Sequence, residues 1–221
     1  MAGLNDPGGP RGRAQLADYA RRLHARGWVA NHDGNVTVRL AEGRTLATPT
    51  AVSKADVTPD SLVLVDDGGR VVQGGGRVFS EIMLHLTVYR SRPDVGAVVH
   101  AHPPTATGFA IAGAAVARLL DQSLLPEAVV SLGPGVPLVP FAPPGEAACR
   151  ALASFTLTHD AVLVENHGVF AWGRDLGQAY LGNQGDIWDA QKDSALAAIG
   201  VAIAVFACRW PRLPRANGLR P

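Results

Sequence analysis

His100 and His102 close an apolar, valine-bearing run over 97–102 that Pro103-Pro104 stops. A short apolar run bounded by turn residues reads as a strand buried in a sheet. Residues two apart on a strand point to one side, so both imidazoles can reach one ion while Ala101 faces the other way. The chain must therefore fold so that one end of a core strand opens onto a site. Alone, such a pair is equally compatible with two structural or surface histidines.

Helical and strand periods alternate around this run. Leu16, Tyr19, Ala20 and Leu23 recur at helical spacing over 14–27, and Gly27 supplies a stop. The turn Asn31-His32-Asp33-Gly34-Asn35 leads into an alternating strand over 36–40. Short strands follow over 44–48 and 62–66, and Asp67-Gly68-Gly69 turns the chain into Val71-Val72. Residues 56–61 read as a short turn or helix. Ser80 stands where it would cap a helix over 81–91, which Arg92-Pro93 ends. Further helices are expected over 105–112, over 145–154 and from Asp175 onward. Strands are expected over 128–132, 136–139, 161–165 and 168–173, with Gly168 allowing the sharp turn at Asn166-His167. This mixed order predicts one α/β or α+β domain with a substantially antiparallel sheet.

The 221 residues suit a single domain of this kind, and 47% hydrophobic against 18% charged residues allows a large core. A formal net charge of +1 argues against a nucleic-acid footprint or a membrane-binding face. Residues 1–13 contain no apolar segment of the signal-peptide type, and the apolar run over 195–208 falls short of the ~20 residues a membrane helix needs. A cytoplasmic setting is the expectation. Cys149 and Cys208 form no CxxC pair and are expected to be buried, reduced thiols. The only lysines are Lys54 and Lys192, neither in an apolar strand, which disfavours Schiff-base chemistry.

Two further residues complete a possible metal set. His167, in Glu165-Asn166-His167-Gly168 between two expected strands, supplies a third imidazole. Three imidazoles with an open position suit zinc best, with manganese or cobalt as alternatives. Glu81 lies in the first turn of a helix, where the dipole favours a carboxylate. It is either a fourth ligand, a general base near the ion, or a simple helix-terminal charge. His85, four residues on, shares its helix face and is read as packing or as support for the ligands.

Five motifs in order resemble the class II aldolase/adducin family over residues 14–182. They are Gly34-Asn35-Val36-Thr37-Val38-Arg39; Thr48-Pro49-Thr50; Ser80-Glu81 with His85 and Tyr89; Arg92-Pro93-Asp94-Val95 through His100-Ala101-His102; and Glu165-Asn166-His167-Gly168. The resemblance implies a mainly antiparallel central sheet with helices on both faces, an α/β three-layer fold. It implies zinc held by His100, His102 and His167. Glu81 would bind the metal in the empty site and act as acid/base once substrate displaces it. It further implies a homotetramer with sites at subunit interfaces, and a catalytic domain over 14–209 between a flexible 1–13 and a loose tail over 210–221.

Asn35, Thr50 and Ser80 match the family's phosphate pocket, whereas His32, Ala51 and Phe79 replace a small hydroxyl residue, a glycine and a serine there. The nearest counterpart to the aldolase's catalytic tyrosine is Glu127. The expected activity is aldol cleavage of a small ketose, expected as a 1-phosphate, to dihydroxyacetone phosphate and an aldehyde through a metal-stabilised enediolate. The same intermediate serves a dehydratase, a decarboxylase or a 4-epimerase. Glu81 disfavours the last, since that branch typically has Asp. A non-catalytic adducin-head-like domain would be expected to have lost these ligands.

Overall fold

Every residue of the strand Ala97–Ala101 is buried, and that double-sided burial sets its place inside a sheet. A computed structural model describes residues 6–112 and 135–184. In chain order the strands are β1 (Asn35–Arg39), β2 (Thr45–Ala47), β3 (Val63–Val65), β4 (Val71–Gln73), β5 (Ala97–Ala101), β6 (Leu138–Val139), β7 (Ala161–Val164) and β8 (Gly168–Gly173). They form one eight-stranded sheet in the order β4-β3-β2-β1-β5-β8-β7-β6. Each neighbouring pair is antiparallel except β6 with β7.

Strand alternation sends successive side chains to two separate cores. Val36, Val38, Ala97, Val99 and Ala101 meet Leu16, Ala17, Ala20 and Leu23 of α1 (Pro10–Ala25) and Leu176, Ala179 and Tyr180 of α5 (Leu176–Gln184). Val98, Val162, Phe170 and Trp172 meet Ile82, Leu86, Val88 and Tyr89 of α2 (Ile82–Ser91) and Leu152 of α4 (Glu146–Thr156). The sheet is thus the middle of three layers, with helices on both faces, as the resemblance implied. The helix α3 (Pro104–Ala112) follows β5 directly and buries Ala110. Each aliphatic side chain buried here contributes roughly 1.5–3 kcal/mol.

Arg39 at the end of β1 fastens α2 to the sheet. Its guanidinium donates to the carbonyls of Tyr89, Arg92 and Pro93 and lies over the Tyr89 ring. Those carbonyls belong to the last turn of α2 and the two residues that follow it, so the cation also faces the negative pole of that helix.

The structure departs from expectation in two local details. The first helix begins at Pro10, inside the stretch expected to be flexible, because proline fits the first turn where no N–H is needed. Ser80 does not cap α2: Glu81 occupies that position, no side chain makes a capping bond, and Ser80 is exposed. The short turn or helix expected over 56–61 is a single 3-10 turn, Pro59–Ser61. The strand expected over 128–132, Glu127, the apolar run over 195–208 and the tail over 210–221 lie outside the described residues. Among the described residues no helix is long and apolar enough to cross a membrane.

Candidate metal centre

His100 lies on the α2 side of β5, opposite Ala101, and is completely buried. Its Nδ1 sits 2.8 Å from the carbonyl of Val169, so Nδ1 carries the proton and Nε2 keeps its lone pair. Its ring stacks on Phe170, centroids 4.0 Å apart, which fixes the plane. Just past the strand end, His102 turns its Nε2 to within 3.0 Å of His100 Nε2. His167 arrives from the β7–β8 turn with its Nε2 also 3.0 Å from His100 Nε2. Three imidazoles converge on one point, their donor atoms all within 4.8 Å of one another.

Gly168 serves this convergence differently from the expected turn. The left-handed residue in the turn is Asn166, at φ 57°, a conformation asparagine tolerates. Gly168 instead begins β8, where a Cβ would lie 2.4 Å from His102 Cδ2 and 2.6 Å from the carbonyl of Ala101. Its missing side chain is the space His102 occupies. Gly34 combines both demands: it has φ 67°, and a Cβ there would lie 2.8 Å from the carbonyl of His100.

Glu81 faces the triad from the start of α2. Its Oε1 is 2.7 Å from His167 Nε2, and its Oε2 is 3.5 Å from His100 Nε2. Burial pushes its carboxyl up, but the nearby His100 and the hydrogen bonds of His167 and Asn35 outweigh this and hold it below the usual carboxylate range. Burial drives His100 the other way, down to about 3, which keeps the ring neutral. Burial likewise lowers His102, whereas the bond to Glu81 raises His167. Neutral imidazole nitrogens beside a carboxylate are the donor set a divalent ion takes, so these residues fit a metal.

A buried hydrogen-bond chain stands behind Glu81. Asn35 Nδ2 donates to Glu81 Oε2 at 2.8 Å, since a carboxylate only accepts. Asn35 Oδ1 must then accept, and His85 Nε2 lies 2.6 Å from it. His85 Nδ1 in turn accepts from Thr37 Oγ1 at 2.8 Å, and Thr37 accepts from Tyr89 at 2.8 Å. The carboxylate therefore sets the direction of every bond back to Tyr89. Burial pushes His85 down to about 3, which matches a neutral ring that donates from one nitrogen and accepts at the other. His85 thus supports the site, one of the two roles its helix position suggests, by way of Asn35. The available signal was the line Glu81, His85, Tyr89 at helical spacing facing Asn35 and Thr37 at strand spacing.

A cavity of about 480 Å³ adjoins the centre. Asn35, Thr50 and Ser80, expected to bind substrate, all line it, although the Asn35 amide is engaged on Glu81. Phe79, Met83, Leu84, Phe141 and Cys149 give it an apolar side. Phe79 is buried and packs against His85, centroids 5.1 Å apart. Cys149 is only half-buried there, contrary to the expected buried thiol, because α4 turns it toward the cavity. Lys54 lies outside the strands, as expected, but is buried among loops and lines the cavity. Ala51 keeps a left-handed backbone, φ 59°, where glycine is the default residue.

Comparison with known proteins agrees with this arrangement. The chain is 30% identical over 176 residues to methylthioribulose-1-phosphate dehydratase from Methylococcus capsulatus, covering 75% of this chain and 84% of that protein. It is 30% identical over 168 residues to 3-oxo-tetronate 4-phosphate decarboxylase from Escherichia coli, covering 76% and 78%. The solved structure of L-fuculose-1-phosphate aldolase from Thermus thermophilus superposes with a TM-score of 0.67 at 27% identity, covering 92% of this chain and all of that one. The family model described as class II aldolase and adducin N-terminal domain matches residues 14–182, and the chain belongs to that family.

Proposed function

We propose that the chain is a metal-dependent lyase, an aldolase that cleaves or forms a small ketose 1-phosphate to give dihydroxyacetone phosphate and an aldehyde. The observation that carries the lyase reading is Glu81, set 2.7 Å from His167 in the triad and braced by Asn35. The likeness to the solved fuculose-phosphate aldolase supports the aldol assignment. His100, His102 and His167, with Glu81 before substrate arrives, would hold zinc. A divalent ion there supplies a Lewis acid that stabilises negative charge on neighbouring substrate oxygens.

The protein's own groups do the rest. Glu81, held as a carboxylate, is the base form of a proton carrier. In condensation it takes a proton from the carbon beside the substrate carbonyl; in cleavage it first gains a proton from solvent and then passes it to the carbon left with the electron pair. Asn35 fixes which carboxylate oxygen is free for that transfer. Asn35, Thr50 and Ser80 line the wall that receives the remainder of the substrate, and Glu127 is the proposed group that takes the hydroxyl proton of the departing aldehyde in cleavage and returns it in condensation. A homotetramer with sites at subunit interfaces is part of this reading, supported by the resemblance, and sedimentation equilibrium tests it.

Dehydration is the second reading, favoured by the apolar side of the cavity and by the dehydratase relative at 30% identity. There Glu81 would remove the proton and hydroxide would leave from the adjacent carbon. The deciding experiment supplies ketose phosphates and unphosphorylated analogues to the zinc-loaded protein and measures aldehyde, carbon dioxide and dehydrated product separately. Aldehyde supports the aldolase; dehydrated product or carbon dioxide alone removes it in favour of the other lyase chemistry.

A further inference from the structure

We infer that Asp33 is a positioning residue of the metal centre: its carboxylate is the outer partner of His102 and holds that ring by the nitrogen the ion does not use. This rests on the metal-dependent reading above and deepens it by giving His102 a partner and the centre a second counter-charge.

The three imidazoles are not held alike. His100 is completely buried, with Nδ1 on the Val169 carbonyl and its ring stacked on Phe170. His102 lies past the end of β5, partly exposed, with its backbone N–H tied to the carbonyl of Trp28 at 2.8 Å. Its Nε2 faces the point shared with His100 and His167. A neutral imidazole carries one proton, so with Nε2 given to an ion the proton sits on Nδ1. That N–H needs an acceptor, and the charged group facing it is Asp33, whose Oδ2 lies 3.9 Å from Nδ1. At that distance the pair is a charge contact. The half-exposed Asp33 side chain has the freedom to close it or to span it with one water. Histidines that ligate metals generally carry such an outer partner, which fixes the ring and makes its free nitrogen a better donor.

The turn around Asp33 is built to keep it there. The Asp33 N–H donates to the carbonyl of Ala30 at 2.9 Å, across a turn in which Asn31 takes φ 51°. A Cβ at Gly34 would lie 2.8 Å from the His100 carbonyl, so the next residue is pressed against the end of β5. From the other side Lys54 donates through its ammonium to the carbonyl of His32 at 3.1 Å, and through its N–H to that of Asn31 at 3.3 Å. The opposite edge of the His102 ring, at Cδ2, rests in the clearance left by Gly168. Asp33 and Gly168 thus bracket His102 from two edges. Asp33 also changes the charge of the centre. Glu81 alone brings one negative charge to a divalent ion; Asp33 adds a second and keeps it while Glu81 carries a proton.

The test compares the full chain as wild type, Asp33→Ala and Asp33→Asn. Readouts are the zinc dissociation constant by competition with a chromophoric chelator, the visible spectrum of the cobalt(II)-loaded protein, and the thermal midpoint of the chelator-stripped chain. Asp33→Ala weakens zinc about tenfold, the low end of the range for such partners because the carboxylate is half open to solvent. It also alters the cobalt spectrum and leaves the stripped midpoint in place. Asp33→Asn falls between the two, since it keeps an acceptor for Nδ1 but loses the charge. A zinc affinity of Asp33→Ala within about twofold of wild type overturns the inference. So does an unchanged cobalt spectrum with a lowered stripped midpoint, which would make Asp33 a residue of the turn alone. Should Asp33→Ala fail to fold, Asp33→Asn is judged by the same limits. A wild-type chain that takes up neither zinc nor cobalt overturns the metal reading itself, whereas zinc uptake that Asp33 does not influence overturns the role of Asp33 only.

Discussion

His85 Nε2 lies 2.6 Å from Asn35 Oδ1, and this contact holds in place the amide whose Nδ2 donates to Glu81. Without it the Asn35 carbonyl would be buried with no donor, and the amide would be fixed by Glu81 alone. The chain from Tyr89 through Thr37 to His85 is fully buried, so no water can substitute for a lost member at low cost.

His85→Phe keeps the ring volume against Phe79 and Phe170 but removes both hydrogen bonds. Turnover should fall about 10–100-fold with zinc stoichiometry retained, the range for groups that orient a ligand or base. Tyr89→Phe removes only the far end of the chain and should cost about 1 kcal/mol of stability with a much smaller effect on rate. Measuring kcat and metal content on the same preparations separates the two; equal rate losses in both variants would refute a graded, directional chain.

Alanine at His100 or His167 should abolish tight metal binding and turnover together, because each contributes an Nε2 to the triad. Prolonged chelation of the wild type should do the same, with added zinc restoring activity. Glu81→Gln should retain metal through the three imidazoles yet lose most turnover, since an amide carries no exchangeable acid proton. Atomic absorption alongside product assays reads each arm. A metal-free His100→Ala, His167→Ala double variant that still turns over would end the metal mechanism.

The parts of this centre that could be read in the sequence are those with a period. His100 and His102 share a side because strands alternate, and Glu81 with His85 shares a face because helices return every fourth residue. The sequence could not say which face of the sheet α2 would cover, so the bond between His85 and Asn35 stayed unseen. Lys54 and Ala51 sit in loops, where burial follows from other segments packing over them and leaves no periodic trace. Glycine is most often a turn residue, so Gly168 after Asn166-His167 reads as one in the sequence. Its role as a clearance for His102 depends on a neighbour distant in sequence.

Gly168→Ala should therefore act on the metal rather than on the turn. The added methyl would meet His102 and the Ala101 carbonyl well inside van der Waals contact, so β8 or the imidazole must shift. Overpacking of this kind costs about 1–3 kcal/mol. Zinc affinity should drop together with the unfolding midpoint. An unchanged affinity with a lowered midpoint would show that the backbone yields and His102 does not move.

Ala51→Gly should raise stability. Ala51 holds φ 59°, where a Cβ costs about 1–2 kcal/mol. Glycine removes that strain but adds unfolded-state entropy of about 0.5–1 kcal/mol. The net gain should be a fraction of a kcal/mol up to about 1, read as a shift of the urea midpoint at unchanged slope. A loss of stability would show that the loop relies on the alanine methyl for packing.

Lys54 gives stability an unusual rise with alkalinity. Its ammonium titrates at about 8 in the folded chain against an ordinary 10.5, because burial disfavours the charge. Below pH 8 both states hold the proton, and the full penalty for burying the cation is present. Between those values the unfolded chain binds more protons than the folded one, so stability increases as pH rises. The total is about 3 kcal/mol at most, spread over the window. Tyr89 opposes this near pH 10: burial raises its phenol, so there the unfolded chain alone loses a proton and stability falls. The clean comparison is therefore wild type minus Lys54→Met from pH 7.5 to 9.5, which cancels the tyrosine. Urea midpoints should converge in favour of the wild type as pH increases. A difference that stays flat across that range would mean the lysine keeps its ordinary proton affinity in the folded chain.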